Sequence, residues 1–237
     1  MVTYFPTPEW LKEYEKRLNQ DKELEEMGKG WGVDWNGDFI FQLNNLPLDK
    51  TRVGDLPKEL LEGMPEDMLE SMKDETLDRV SRGMKVMMDP DGITAETIES
   101  MPELADLVSS LPERYSEDMT SLLKIPEELP EYLMHLVEVV NEYITEDGTV
   151  YSFVGLKDGK CTGAELISSP EDREHGFVLE GDYADWKALI SGELAIVKAV
   201  MSGTFKLHGD LSKVMRHIRA AVRMAQIASD IHSESLF

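Results

Sequence analysis

Cysteine is almost missing from this chain: Cys161 is the only one among 237 residues. No intramolecular disulfide can form, which fits a reducing compartment. Long apolar runs are missing too, and none approaches the ~18 consecutive apolar residues that a membrane span needs. The opening, Met1 to Trp10, has no basic patch followed by an apolar run, so no secretory leader is expected. A cytoplasmic location is the resulting expectation. Basic residues are scarce, with 24 Lys and Arg against 47 Asp and Glu and a formal net charge of −23. That balance argues against nucleic acid, whose phosphates call for clustered Lys and Arg. It argues equally against constitutive attachment to anionic membranes. Its plainest effect is solubility.

Catalytic signatures are also lacking. The histidines (His135, His175, His208, His217, His232) are scattered and form no paired metal-ligand pattern. There is no Gly-x-Ser-x-Gly elbow, P-loop or dinucleotide fingerprint. The acidic pairs Glu25-Glu26, Glu127-Glu128 and Glu171-Asp172 sit in polar runs, where solvation is their default role. Cys161 falls in an expected strand and reads as an inert small residue. The expectation is therefore no catalytic residue, no metal, no cofactor and no enzymatic activity.

What the chain does contain falls into three zones. In the first, to about Asn45, Thr7-Pro8-Glu9 reads as an N-cap, a Pro at the first helical position and an acid in the first turn. Trp10, Leu11, Tyr14 and Leu18 follow at helical spacing, and Gly28, Gly30 and Gly32 break the helix. Phe39, Phe41 and Leu43 alternate as in a strand. The second zone, 46–145, is acidic and rich in methionine: Val53 to Glu146 holds 24 acidic against 7 basic residues and nine of the fourteen Met. Apolar-Pro-charged triplets recur there, from Leu56-Pro57-Lys58 to Leu129-Pro130-Glu131, and each suits a helix first turn. This zone is expected to be a set of short helices. Met64, Met68 and Met72 form a stripe that is either helix core or an adaptable binding surface.

The third zone, 146–237, reads as strands at 149–156, 160–167 and 175–180, separated by Asp158-Gly159 and Ser169-Pro170, in a meander of hairpins. Helices are expected from Tyr183 to Ile190 and from Gly192 to Met201, the latter stopped by Gly203. A short strand from Thr204 to His208 and a long final helix from Leu211 to Ser229, capped by Asp210, complete the chain.

Within this zone Gly181-Asp182-Tyr183-Ala184-Asp185-Trp186, Ser191-Gly192-Glu193, Met201-Ser202-Gly203 and Gly209-Asp210-Leu211 stand in an order and spacing that resembles the sterol-carrier-protein-2 type lipid-transfer domain. The Trp-containing helix and Gly-rich aromatic strand of the first zone resemble the start of standalone members. The resemblance implies an α+β fold: a five-stranded, mainly antiparallel sheet covered by helices, with an apolar tunnel between them. Residues 1–45 and 146–237 would form one discontinuous domain, and 46–145 an all-helical insertion. It further implies non-enzymatic binding or transfer of a lipid, fatty acyl or other hydrophobic molecule.

Strand parity and helix spacing then nominate the tunnel lining. The strands offer Phe39, Phe41, Tyr151, Phe153, Phe177, Leu179, Phe205 and Leu207, and the helices Trp186, Ile190, Leu194, Val197, Val214, Ile218 and Val222. Without the resemblance these would read as ordinary core. Lys213, Arg216, Arg219 and Arg223 form a basic strip that would meet an anionic headgroup, pair with the acidic zone, or face solvent. Two other readings stand beside the binder. One is an assembly module whose acidic insertion docks a partner enzyme or a second copy. The other is an enzyme using a carboxylate inside the tunnel.

Overall fold

The computed structural model describes residues 3–57, 61, 70, 73–88 and 140–237. The stripe of Met64, Met68 and Met72, His135 and most of the expected short helices of 46–145 lie outside the described residues. The chain divides into two compact units, Met1–Leu46 with Tyr143–Leu236, and Pro47–Glu142.

In the second unit a single turn of 3-10 helix, Val53–Asp55, precedes Leu56-Pro57. A β-bridge joins Arg52 to Thr76, beside an ion pair of Arg52 with Asp74 at 2.8 Å. A helix, α3, runs from Leu77 to Met88.

In the first unit β1 (Thr3–Phe5) leads into α1 (Pro8–Gln20), α2 (Lys22–Met27) and β2 (Phe39–Asn44). After the middle segment come β3 (Val150–Lys157), β4 (Lys160–Ile167), β5 (Phe177–Asp182), α4 (Tyr183–Ile190), α5 (Ile196–Ser202), β6 (Lys206–His208), α6 (Leu211–Arg216), α7 (Ile218–Ser229) and β7 (Ser233–Ser235). Strands β1 and β7 form a small parallel ribbon. The other five make one sheet in the order β4-β3-β2-β5-β6, antiparallel except where β2 meets β5.

That order corrects the expected meander. The β3-β4 hairpin forms as expected, with Gly159 (φ +78) in its turn. Strand β5, however, crosses to the far side of β2 and pairs with it in parallel, Phe39 opposite Phe177 and Phe41 opposite Leu179. Alternation reports which residues share a face and says nothing about which strand is the neighbour. The apolar match decides it here: Phe39 and Phe177 stack with ring centroids 5.0 Å apart.

Thr7 caps α1, accepting from the Trp10 N–H at 3.3 Å, and Trp10, Leu11, Tyr14 and Leu18 are buried. The helix stops earlier than the glycines suggest. Asp21 breaks it, its N–H closing α1 on Arg17 and Leu18 while its carboxylate caps α2 through the Leu24 N–H at 2.6 Å. Gly203 ends α5 in the left-handed conformation, φ +78. The final helix is not continuous: His217 separates α6 from α7. The His217 ring meets Trp31 edge-on at 5.5 Å, so it is half-buried packing and not surface.

Helices α1, α2 and α4 to α7 lie on the sheet face that carries Phe39, Phe41 and Leu43. The opposite face carries Ile40, Gln42 and a charged clasp, in which Glu180 accepts from Lys206 and His208, each at 3.0 Å. The hydrogen bonds from Lys206 and His208 hold the Glu180 carboxyl below its usual range.

Strand β2 has ladder partners on both edges, and both come from beyond the middle segment. A chain cut between residues 46 and 145 should therefore stay together on size exclusion without denaturant. Free separation of the two pieces would contradict the sheet.

The Arg223 guanidinium donates to Asp21 at 2.6 Å and holds its carboxyl below the usual range. A carboxyl lowered on folding stabilises above its unfolded value, near pH 4, and that contribution fades as pH falls through the folded value. Asp21→Ala, which removes cap and ion pair, should cost about 1–2 kcal/mol in urea unfolding at pH 7. Asp21→Asn, which keeps the cap, should cost less, and its difference from wild type should shrink towards pH 2.

Candidate functional site

Between the sheet and its helices lies a cavity of about 100 Å³. Its floor is Phe39, Phe41 and Leu43 of β2, Ser152 of β3, Leu179 of β5 and Leu207 of β6. Trp10 and Tyr14 of α1 and Trp186, Leu189 and Ile190 of α4 wall one side. Phe5 of β1 adds to the wall, and helices α5, α6 and α7 supply the rest, including Val197, Val214 and Ile218. Among the described residues no charged side chain lines it.

Local structure fixes the walls. Trp186 is held by a hydrogen bond from its Nε1 to the Gln42 carbonyl at 3.0 Å. Its ring packs on Phe41 at 5.2 Å and edge-on against Phe205 at 4.8 Å. Tyr14 donates to the Met224 carbonyl at 3.3 Å, tying α1 to α7 across the cavity, and burial pushes its phenol well above the ordinary range.

Of the residues nominated from sequence, Phe39, Phe41, Leu179, Trp186, Ile190, Val197, Leu207, Val214 and Ile218 line this space. The others do not. Tyr151 and Phe153 point to the opposite face, because Ser152 is the residue across from Phe41, and Val154 the one across from Phe39. The aromatic pair suggested the wrong parity for β3; the buried set is Val150, Ser152 and Val154. Phe205 is fully buried behind Trp186 as core. Leu194 sits in the turn before α5, its N–H on the Ala188 carbonyl. Val222 is turned aside because the break at His217 resets the helical phase, bringing Ala221, Met224, Ala225 and Ala228 to the wall instead. Phe177 is buried against Trp31 and Phe39 and stays out of the lining.

Sequence reasoning missed Trp10, Tyr14, Ser152 and the methionines Met201, Met215 and Met224. The helical spacing of Trp10 and Tyr14 was visible, but the face of the sheet that α1 covers was not. The mouth is apolar as well: Val197, Met201, Leu211 and Met215 line the cavity and are 37%, 74%, 48% and 49% exposed. Large apolar groups gathered at an opening are uncommon on a surface that serves only solubility.

The basic strip does not act as one group. Arg223 is paired with Asp21, and Lys213 lies over the Trp35 ring at 5.0 Å. Arg216 donates to the Ser212 carbonyl at 3.4 Å, and Arg219 is exposed. Among the described residues no group of three or more His, Cys, Asp and Glu could hold a metal ion. Burial pushes the Cys161 thiol up to about 11, leaving it neutral at pH 7. No helix among the described residues is long and apolar enough to cross a membrane.

Arg219→Glu should leave stability within about 0.5 kcal/mol of wild type, as for most exposed substitutions. Arg223→Glu should lower it clearly in the same urea titration, since it sets two carboxylates against a third charge of the same sign. Equal effects would show that the strip is a single surface.

No curated protein matches the chain. A crystal structure of sterol carrier protein 2 aligns at 14% identity with a TM-score of 0.48, covering 95% of this chain and 97% of that one. The solution structure of a conserved hypothetical protein from Thermus thermophilus, described with a suggestion of sterol carrier protein, aligns at 15% identity and TM-score 0.47, covering 96% and 90%. The family model of the SCP-2 sterol transfer family matches residues 119–221. Its start lies inside the segment expected as an insertion, so residues 119–145 are part of the match. Residues 119–221 of this chain thus carry the pattern of the SCP-2 sterol transfer family.

Proposed function

We propose that the chain binds an apolar small molecule, of the lipid, fatty acyl or sterol class, in the cavity between sheet and helices, and carries it without a catalytic group of its own. One observation carries this reading: an uncharged, apolar cavity whose lining runs continuously to exposed Met201, Leu211 and Met215. The family match over residues 119–221 supports the same reading. A protein that takes its cargo from solution also fits the acidic charge and a cytoplasmic location.

Size makes the proposal specific. A cavity of roughly 150 Å³ holds benzene, so one of about 100 Å³ is too small for a long chain as it stands. The lining that can give way is the short pair α5 and α6, which bear the exposed rim. Burying about twelve methylenes gains on the order of 10 kcal/mol gross at ~0.8 each. Association and ordering take back several kcal/mol, and opening the rim takes more, leaving on the order of 5 kcal/mol, a dissociation constant of roughly 0.1–1 mM.

Displacement of an environment-sensitive fluorescent fatty acid tests this. Affinity should rise with chain length until the opened cavity is full. Ala225→Phe projects a ring from α7 into the cavity and should block binding by tenfold or more, with the circular dichroism of a folded protein retained. No displacement by any lipid, with the fold intact, would reject the proposal and favour an assembly role for the acidic segment.

A further inference from the structure

A second, smaller cavity of about 20 Å³ lies in the first unit. Leu24 of α2 and Gly28 at its end, Trp31, Leu156 of β3, Gly159 in the β3-β4 turn and Ala220 of α7 line it. Its volume is just above the roughly 10–15 Å³ that one water needs. The lining side chains offer water no partner, because the Trp31 Nε1 already donates to the Gly37 carbonyl at 2.8 Å. A void of this kind stays dry, and left empty it lowers stability.

Where Gly28 meets Gly159 the cavity is shut by backbone against backbone. A Cβ at Gly28 would stand 2.5 Å from the Gly159 Cα, and one at Gly159 would stand 2.4 Å from the Glu25 carbonyl oxygen. Lys160 pairs with Glu25 at 2.8 Å, and the Asp158 carboxylate accepts from the Gly30 N–H at 2.8 Å. This is a fixed, blind end, unlike the exposed apolar rim that α5 and α6 give the main cavity.

Phe39, Ala221 and Met224 line both cavities, so they stand between them. The sheet agrees. On β3, Ser152 floors the main cavity and Leu156 the smaller one, about 13 Å further along at roughly 3.3 Å per residue. Val154, midway, is the residue opposite Phe39. Of the three shared residues only one can yield. Ala221 has no side-chain torsion that matters, and the Phe39 ring stacks on both Trp31 at 5.6 Å and Phe177 at 5.0 Å. Met224 is unbranched and adaptable. Its backbone is tied by the Tyr14 hydroxyl at 3.3 Å, which leaves its side chain as the moving part.

We infer that Met224 is a gate between the two cavities, and that the smaller one receives the methyl end of a straight alkyl chain. This rests on the proposed binding of an apolar molecule. The chain enters tail-first, because a charged head would lose its water with no charged side chain among the described lining residues of either cavity. A space of this size admits a chain end and not a ring. Each added methylene gains burial until the chain meets the stop at Gly28 and Gly159. The gate and its blind end therefore select a long, unbranched acyl chain over a sterol.

The test uses the full chain and a bound fluorescent fatty acid, displaced by decanoate, dodecanoate, tetradecanoate and hexadecanoate. Wild-type affinity should rise by roughly fourfold per methylene buried. Ala220→Leu fills the smaller cavity, and its cost should grow with chain length, reaching about tenfold or more for hexadecanoate, the worth of two excluded methylenes. Met224→Ala removes the gate and should favour hexadecanoate over decanoate by roughly threefold more than wild type, close to the worth of one methylene. In 1H–15N spectra of the wild-type protein the Trp31 indole N–H should shift with hexadecanoate and not with decanoate. That measurement decides the matter if either variant fails to fold. If Ala220→Leu changes all four acids alike or none of them, or the Trp31 indole ignores hexadecanoate, the gate is wrong and the binding proposal stands. If no acid displaces the probe from the wild-type protein, the binding proposal and the gate fall together.

Discussion

The double pairing of strand β2 is the constraint on which the rest of the first unit depends. A strand of six residues satisfies its backbone only by finding an acceptor and donor row on each edge. Both rows, β3 and β5, are built from chain beyond the middle segment. Once β2 is seated, Phe39, Phe41 and Leu43 define one buried face, and the cross-strand partners Val154, Ser152, Phe177 and Leu179 must share it. The helices then have one apolar surface on which to settle. The charged clasp of Glu180 with Lys206 and His208 marks the other face of the same sheet.

Much of this was legible in the chain. Strand β4 and helix α4 have the boundaries that turn and cap residues imply, and Thr7, Asp210 and Gly203 act as the terminators their chemistry suggests. Strand order was not legible, because pairing between distant segments leaves no local periodicity. The face of β3 was misread for a physical reason: aromatic residues suit a half-exposed face as well as a core, and here a serine occupies the buried position between two valines. The phase of the last helix was lost at His217, where a ring contact with Trp31 interrupts what the sequence alone presents as one amphipathic run. Trp10 and Tyr14 were identifiable as buried and not as lining, since that distinction depends on a neighbour contributed by α7.

A well-filled core of this size would leave no cavity and no orphan donor. The first unit instead keeps an apolar void and a buried Trp10 Nε1 with no acceptor among the described residues, and it exposes methionines at the cavity mouth. Each of these features lowers the stability of the unliganded fold. Departures of this kind gather where function opposes optimal packing. Methionine suits such a border because an unbranched, polarizable side chain repacks at little cost against surfaces of different shape.

The break at His217 divides the last helical stretch into parts with unequal attachment. Helix α7 is fastened twice, by Tyr14 to the Met224 carbonyl and by Arg223 to Asp21. Helix α6 has only Val214 buried, and Leu211 and Met215, at the rim of the cavity, are about half exposed. The free energy needed to lift α6 is thus a local quantity, well below that of unfolding the sheet. In kinetic terms, a molecule leaving the cavity waits on the fraying of a short helix, so its residence time and the global stability of the protein are separately adjustable by mutation.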